Sequence, residues 1–512
     1  MSESVFIGVD LGTTSCKADA FNLFGEMLGH GTATCSVSRP QPNWAEQDCE
    51  EIWESAVWAI RGCVAEIDPS RVSGIGCCGH TPSLVLLDGA GKAVRPVIVW
   101  QDDRATVEAR ELEEILDSSQ WEDLLGLDLP RSASYPPARL RWLARHESKT
   151  LARTRHLLQP KDYLNYRLTG VLASDYWGSK GLAHLQTGQP IAAYREILGI
   201  DPGLAPLCEH PHRIVGKLSS ESANVLGLRL GTPVAIGWTD ALCGMLGTGA
   251  LAQSDAAFDI AGTSEIVGVT ATKEPSAHEG VLVAPILDTD LCVVYGPTQM
   301  SGGSVDWYLA GFHPSSWGER EIRTIDEFIS PDVGELIFLP YLKGERAPIW
   351  NPNARGVFFG ISLEHSSAHF LRAILEGVAF SIRHVLERSE LATGVQSTVV
   401  YLSGGGATSA GWNQIKSDVL GRSVQCTKVR DAGTLGAAML AALAVGEFPD
   451  IKSATSAMVQ WQPATTPNPA RAATYDRLYE TYRSLYTNLR DLFPVVSPRS
   501  ACDPIPNAKL KE

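Results

Sequence analysis

Residues 5–21 read VFIGVDLGTTSCKADAF. An apolar run, Val5 to Val9, ends on a carboxylate, Asp10, passes through Gly12-Thr13-Thr14-Ser15, and then turns apolar again. β-Branched and aromatic residues favour a pleated, buried surface, and Gly12 gives the backbone freedom of a turn, so the stretch predicts strand, tight turn, strand. The turn gathers an acid, three hydroxyls and several backbone N–H groups at one point. Such a point suits a phosphate or its metal; a polar hairpin turn with no ligand is the other reading of the same residues.

Working outward, strand-like runs recur at Ser83–Leu87, Val97–Trp100, Val234–Ile236, Phe258–Ile260, Glu335–Phe338 and Val399–Leu402. Between several of them lie amphipathic stretches, Glu50–Ile67 and Ser366–Leu391. In the latter Phe370, Leu371, Ile374, Leu375, Val378 and Ile382 fall at helical spacing. The pattern predicts an α/β protein. Residues 258–264, FDIAGTS, echo the opening: a short apolar strand, then Gly-Thr and a hydroxyl. Two copies of one phosphate-type hairpin suggest two similar domains, against the alternative of chance similarity in a seven-residue turn.

A chain of 512 residues exceeds what one hydrophobic core usually serves. A net charge of -15, with no basic stripe, argues against a nucleic-acid partner, which would draw on clustered Lys and Arg. The eleven cysteines form no CxxC pair and are odd in number, as expected of small core residues in a reducing compartment. The opening MSESVFIGVD lacks a basic n-region, and the most apolar helical stretch, Gly433–Gly446, falls short of the roughly 20 residues a membrane span needs. The expectation is a cytoplasmic protein with neither a membrane nor a nucleic acid as partner.

Gly74-Ile-Gly-Cys-Cys-Gly79 matches the dinucleotide pattern GxGxxG, but a strand-like run follows it where a helix is required. No GxxxxGK P-loop or HExxH occurs, and His210-Pro-His212 sits in a Pro-rich loop. Gly-rich turns flanked by acids and hydroxyls remain. Gly237-Trp-Thr-Asp240 follows PVAIG and precedes the small-residue helix ALCGMLGTGA, so Asp240 is either a helix cap or a catalytic carboxylate at a strand's C-terminal end. Tyr401-Leu-Ser-Gly-Gly-Gly-Ala-Thr-Ser409 lets a ring or a phosphate approach bare backbone before a helix over Trp412–Leu420. Asp431-Ala-Gly-Thr-Leu-Gly-Ala-Ala opens another helix, whose small residues read as packing.

From about residue 5 to residue 450 the chain resembles the FGGY carbohydrate kinases. Ser134-Tyr-Pro-Pro-Ala-Arg-Leu-Arg-Trp142-Leu looks like the first family signature, with Arg139 where Lys is usual. Gly356-Val-Phe-Phe-Gly-Ile361 through His369, Ala373 and Glu376 is similar to the second. The resemblance implies two actin-like, ribonuclease-H-like domains with a catalytic cleft between them, expected over residues 1–248 and 249–490, with 491–512 a loosely attached tail. It implies ATP and Mg2+ as cofactors, a small sugar or polyol as acceptor, and a homodimer by family habit. Asp10 would stand near Mg2+, Thr13 and Thr14 at the triphosphate and Lys17 near the transferred group. Gly262, Thr263 and Ser264 match the second phosphate hairpin, and Gly405, Gly406 and Ala407 the adenosine-binding turn. Asp240 corresponds to the family's general base, taking the proton of the attacking hydroxyl while domain closure excludes water.

The implied reaction is ATP-dependent phosphorylation of a terminal hydroxyl of a ketopentose, D-xylulose first. The segment SLVLLDGAGKAVRPVIVWQDDRA resembles the xylulose kinases of the family, yet Gly79-His80-Thr81-Pro82-Ser83 stands where they carry Gly-Gln-Met-His-Gly. Another pentulose such as ribulose, a tetritol such as erythritol, or glycerol are therefore competing acceptors. Thr81 and Pro82 are expected at the acceptor, as are Trp100, Asp102 and Asp103; His80 is either a ligand contact or a structural histidine. Asp102 or Asp103 capping a helix that starts near Arg104 is the bland alternative. Actin-like folds also serve as ATP-driven chaperones and filaments, but the two sugar-kinase signatures have no reason to occur there.

Overall fold

The computed structural model describes residues 4–272, 275, 279–286, 289–312, 322–330 and 333–497. The chain divides into two compact units, one of Met1–Phe258, Ala284–Cys292 and Cys426–Gln462, the other of Asp259–Val283, Val293–Gln425 and Pro463–Glu512. Of the expected tail, residues 498–512 lie outside the described residues, and Phe493–Val496 forms a short helix.

The opening stretch folds as its pattern predicts. Val5–Leu11 and Ser15–Phe21 pair antiparallel around the Gly12 turn, and Val5–Leu11 pairs parallel with Val72–Gly79 on its other side. The first unit's sheet runs Ile214–Lys217, Pro233–Ala235, Val72–Gly79, Val5–Leu11, Ser15–Phe21, Met27–Thr34. The second unit's sheet runs Leu282–Pro285, Cys292–Pro297, Glu265–Ala271, Ala257–Ala261, Val399–Gly404, Ser423–Cys426. In each, the hairpin's first strand is central, with its own partner strand on one side and a later strand, Val72–Gly79 or Val399–Gly404, on the other. The echo between the two hairpins is thus a repeat of architecture, the actin-like plan. The GxGxxG match lies wholly inside the strand Val72–Gly79, where its glycines open no phosphate loop.

The sheet of the first unit is covered on both faces, so Val5–Leu11 reads as a continuous apolar run and is buried throughout except at Asp10. Helix Cys49–Val64, capped by Asp48 accepting from Glu50 N at 2.7 Å, packs on Ser15–Phe21 and Met27–Thr34. Helix Ala432–Ala444 covers Val5–Leu11 and Val72–Gly79 and packs along helix Asp240–Thr248. It approaches so closely that a Cβ on Gly8 would lie 1.8 Å from the Thr434 carbonyl oxygen, and one on Gly436 2.0 Å from that of Cys243. The small residues of AGTLGAA are therefore a packing requirement, and they bring the start of this helix onto the first hairpin. In the second unit the predicted long helix spans Ser367–Thr393, opened by a capping box between Ser366 and His369. All ten described cysteines are buried thiols, and no described helix is long and apolar enough to cross a membrane.

Candidate active site

The strand register places Asp10 opposite Lys17 across the hairpin and beside Cys78 on the parallel side. Directly opposed residues share one face of a sheet, so the carboxylate and the ammonium converge. Cys78 Sγ donates to Asp10 Oδ1 at 3.4 Å. Burial raises the Asp10 carboxyl above its ordinary range, and the charge of Lys17 opposes the rise. Lys17 Nζ donates to Asp431 Oδ1 at 2.5 Å. Burial pulls that ammonium down, but the charge and hydrogen bond of Asp431 outweigh it and hold Lys17 above its usual value. Asp431 occupies the cap position of helix Ala432–Ala444 yet makes no side-chain capping bond. Beside it Thr434 Oγ1 donates to Asp19 Oδ2 at 2.6 Å, and Gly433 leaves room for Asp10: a Cβ there would lie 2.8 Å from Asp10 Oδ2. Thr13 and Thr14 stand at the turn, half-buried and exposed respectively.

Asp240 is the first residue of its helix, and the cap is Thr239, whose hydroxyl accepts from Leu242 N at 3.3 Å. The cap position expected as one reading of Asp240 therefore belongs to Thr239. Asp240 Oδ1 accepts from Ala241 N at 2.7 Å, and the residue is half-buried.

Trp238–Thr239, just before Asp240, pairs parallel with Cys78–Gly79, just before the expected acceptor residues His80, Thr81 and Pro82. Thr81 Oγ1 accepts from Lys180 Nζ at 2.9 Å, and the charge of Asp240 acts on Lys180. His80 is 2% exposed; its Nδ1 lies 2.8 Å from Ser83 Oγ, while Nε2 is buried with no hydrogen-bond partner among the described residues. Burial, then the charge of Arg139, depress its pKa to about 4, so the ring is neutral. Trp100 Nε1 donates to Thr13 Oγ1 at 2.9 Å, which ties this loop to the first hairpin. Arg139, the family-signature position, is fully buried and acts from beneath. It donates to the carbonyl oxygens of Pro82 at 3.1 Å, Ile98 at 3.3 Å, Val99 at 2.7 Å and Asp102 at 3.3 Å, fixing both loops at once.

Asp102 does not fit the acceptor contact expected of it. Its Oδ2 accepts from Ala45 N at 2.6 Å and Arg104 Nη2 at 2.7 Å, and its Oδ1 from Arg104 N at 3.0 Å and Nε at 2.8 Å. The carboxylate is fully buried and consumed by structure. Neither Asp102 nor Asp103 caps the following helix, Thr106–Ile115, whose cap position is Ala105 with no side-chain bond.

In the second unit, Gly262 and Thr263 are exposed at the hairpin tip, which Gly262 N closes by donating to Ser264 O at 2.9 Å. The Thr263 carbonyl accepts from Ser301 N at 2.8 Å and the Gly262 carbonyl from Gly302 N at 3.1 Å, which backs the tip onto helix Gly302–Phe312. Lys416, buried, lies 2.7 Å from both Asp259 and Glu265 and so locks the two flanking strands to helix Ala410–Leu420. The turn Gly405–Thr408 abuts this hairpin. Gly404, at φ 93°, leaves no room for a side chain, since a Cβ would lie 2.1 Å from the Ala261 carbonyl oxygen. Gly405 faces open space with no atom within 4 Å of its notional Cβ, Gly406 is buried beneath, and the Ala407 carbonyl accepts from Asn413 Nδ2 at 2.8 Å. A flat ring and a phosphate chain can each meet bare backbone there.

Two residues of these clusters escaped the sequence reading. Asp431 carried a weak signal, an acid one position ahead of a helix that glycine forces onto the sheet. Lys180, in DYWGSKG, carried none. The described residues contain no group of three or more His, Cys, Asp or Glu able to hold a metal.

The model of the FGGY family of carbohydrate kinases, N-terminal domain, matches residues 5–247, and that of the C-terminal domain matches residues 258–445. The xylulose kinase of Escherichia coli is 30% identical over 95% of this chain and 100% of its own length. The crystal structure of a xylulose kinase from Rhodospirillum rubrum superposes with a TM-score of 0.81 at 29% identity, covering 96% of this chain and 100% of that one. The crystal structure of a gluconate kinase from Lactobacillus acidophilus superposes with a TM-score of 0.86 at 24% identity, covering 97% and 100%, a likeness of fold.

Proposed function

The chain belongs to the FGGY family of carbohydrate kinases, and we propose that it transfers the γ-phosphoryl of ATP to a terminal hydroxyl of a ketopentose, D-xylulose first, giving the 5-phosphate and ADP. The observation that carries the site assignment is the division of labour at residues 239 and 240. Thr239 holds the cap position, and Asp240 follows a strand that pairs with Cys78–Gly79, near enough to Lys180 for its charge to act. A positioned carboxylate accepts the proton of the attacking hydroxyl, and in a loose transition state its placement counts for more than its basicity. The xylulose kinases among the relatives support D-xylulose as the first acceptor.

For the phosphates the first unit offers the Thr13 and Thr14 hydroxyls and Lys17, a cation steered by Asp431; taken by itself, the second unit offers the hydroxyls and backbone N–H groups of the Gly262–Ser264 tip and the bare Gly405 turn, a surface for adenosine. Mg2+ takes oxygen ligands, keeps several waters and is usually held by one or two carboxylates plus substrate phosphates. Asp10 fits that donor set as a half-buried carboxylate at the hairpin. It would hold the ion, which when bound neutralises phosphate charge.

The test is Asp240→Ala with a panel of pentuloses, tetritols and glycerol. Transfer is expected to fall by about 10²–10⁴ while nucleotide affinity stays within two-fold. Substantial retained kinase activity, or ATP turnover indifferent to every sugar in the wild type, would refute the reading.

A further inference from the structure

Lys180 differs from the other buried ammonium groups. Lys161 lies 2.6 Å from Asp162 Oδ1 and 3.2 Å from Asp175 Oδ2, and Lys416 is held between two carboxylates. Lys180 is 6% exposed, yet among the described residues no carboxylate lies within ion-pair distance of it. An ammonium carries three donors. One reaches Thr81 Oγ1 at 2.9 Å, and the Trp177 ring stands 5.2 Å from Nζ. A buried charge is costly unless its hydrogen bonds are made, so the remaining donors call for a partner that arrives from outside. The direction is given by what surrounds it: Thr81 in direct contact, and Asp240 near enough for its charge to act.

We propose that Lys180 is a specificity-determining residue of the acceptor site, its remaining donors binding an oxygen of the neutral sugar whose hydroxyl Asp240 deprotonates. This rests on the ketopentose-kinase reading above. Thr81, expected at the acceptor from the sequence, is the residue on which the Lys180 ammonium is hung, so the polar contact comes from two separate segments of the chain. The local charge argues for a neutral acceptor over a sugar acid. Two ammonium groups, Lys180 and Lys161, face three carboxylates, Asp240, Asp175 and Asp162, so negative charge is already in excess, and a further carboxylate would add to it in a buried site. Burial draws the Lys180 pKa down to about 8, opposed by Asp240 and Asp175. The group is charged at neutral pH and titrates just above it.

The experiment compares wild type, Lys180→Met and Lys180→Arg in steady state with the best acceptor of a panel that includes D-xylulose, erythritol, glycerol and gluconate. Lys180→Met is expected to raise the KM for the sugar at least ten-fold, leave the KM for ATP within two-fold and alter the order of preference across the panel. Lys180→Arg should recover part of the loss. In the wild type, kcat/KM for the sugar should fall on the alkaline side with an apparent pKa near 8 that the Met variant lacks. An unchanged sugar KM and preference order in a folded Met variant would overturn the proposal. If that variant does not fold, a wild-type profile flat to pH 9 overturns it equally, and a limb near 8 upholds it. The ketopentose reading fails separately, when the wild type prefers another neutral acceptor; gluconate as best acceptor would overturn the neutral-sugar inference itself.

Discussion

Replacing Asp102 separates a structural carboxylate from a sugar-binding one. Asp102→Ala removes four hydrogen bonds from a fully buried site: those from Ala45 N, Arg104 N, Arg104 Nε and Arg104 Nη2. It leaves the Arg104 side chain, 1% exposed, still paired with Glu46 Oε1 at 2.7 Å and with the Trp44 ring 3.6 Å from its Cζ. Breaking a buried pair from one side costs about 3–5 kcal/mol. Glu46, shared with Arg95, and the Trp44 face absorb some of the stranded charge, which sets the expectation at the lower end, about 3 kcal/mol. Asp102→Asn keeps an acceptor for Ala45 N and should lose roughly half as much. The assay is urea unfolding followed by tryptophan fluorescence, read as a lower midpoint at unchanged slope, alongside the KM for sugar and for ATP measured below the transition. Both KM values should stay within two-fold. A variant with wild-type stability and a sugar KM raised ten-fold would refute the reasoning and return Asp102 to the acceptor site.

Gly436→Val should cost about 1–3 kcal/mol by overpacking, since its Cβ would meet the Cys243 carbonyl oxygen at 2.0 Å. It should also lower kcat, because the displaced helix carries Asp431 away from Lys17; a Val variant with normal melting and kcat would count against the close approach. His80 is held neutral with its pKa near 4, below its ordinary 6.5, so the unfolded chain binds the extra proton first and stability present above pH 6.5 is lost as pH falls toward 4, by roughly 3 kcal/mol at most. His80→Gln should flatten that part of the stability profile relative to wild type while His384, depressed the same way, still titrates; identical profiles would show that His80 is not buried neutral.

What could be read directly was whatever a local pattern determines. Val5 to Val9 with Gly12 specified a hairpin, and each of the predicted strand runs contains or overlaps a strand, because burial on both faces writes itself as a continuous apolar stretch. The helix over Ser366–Leu391 was legible from its periodicity, and the observed Ser367–Thr393 starts within a residue of it. The family-signature residue Arg139 was visible as a departure from Lys, but its task, four carbonyl oxygens on two loops, was not. No spacing in a one-dimensional chain encodes that convergence.

The same limit explains the opposite fates of Asp102, Asp240 and Asp431. Each is an Asp at or just before a helix start, and capping preference alone cannot rank them. What sorts them is who else reaches the oxygens: Arg104 and Ala45 saturate Asp102, the Thr239 hydroxyl relieves Asp240 of the cap, and a helix pressed onto the sheet at Gly8 and Gly436 delivers Asp431 to Lys17. Glycine placement therefore does chemical service at a distance. A helix that could not approach within backbone contact of Val5–Leu11 would leave Lys17 without its carboxylate, and the ammonium would be drawn instead toward Asp10, which sits opposite it across the hairpin. Pairing Lys17 with Asp431 keeps the ammonium off the Asp10 oxygens, which the proposed mechanism needs free for the metal.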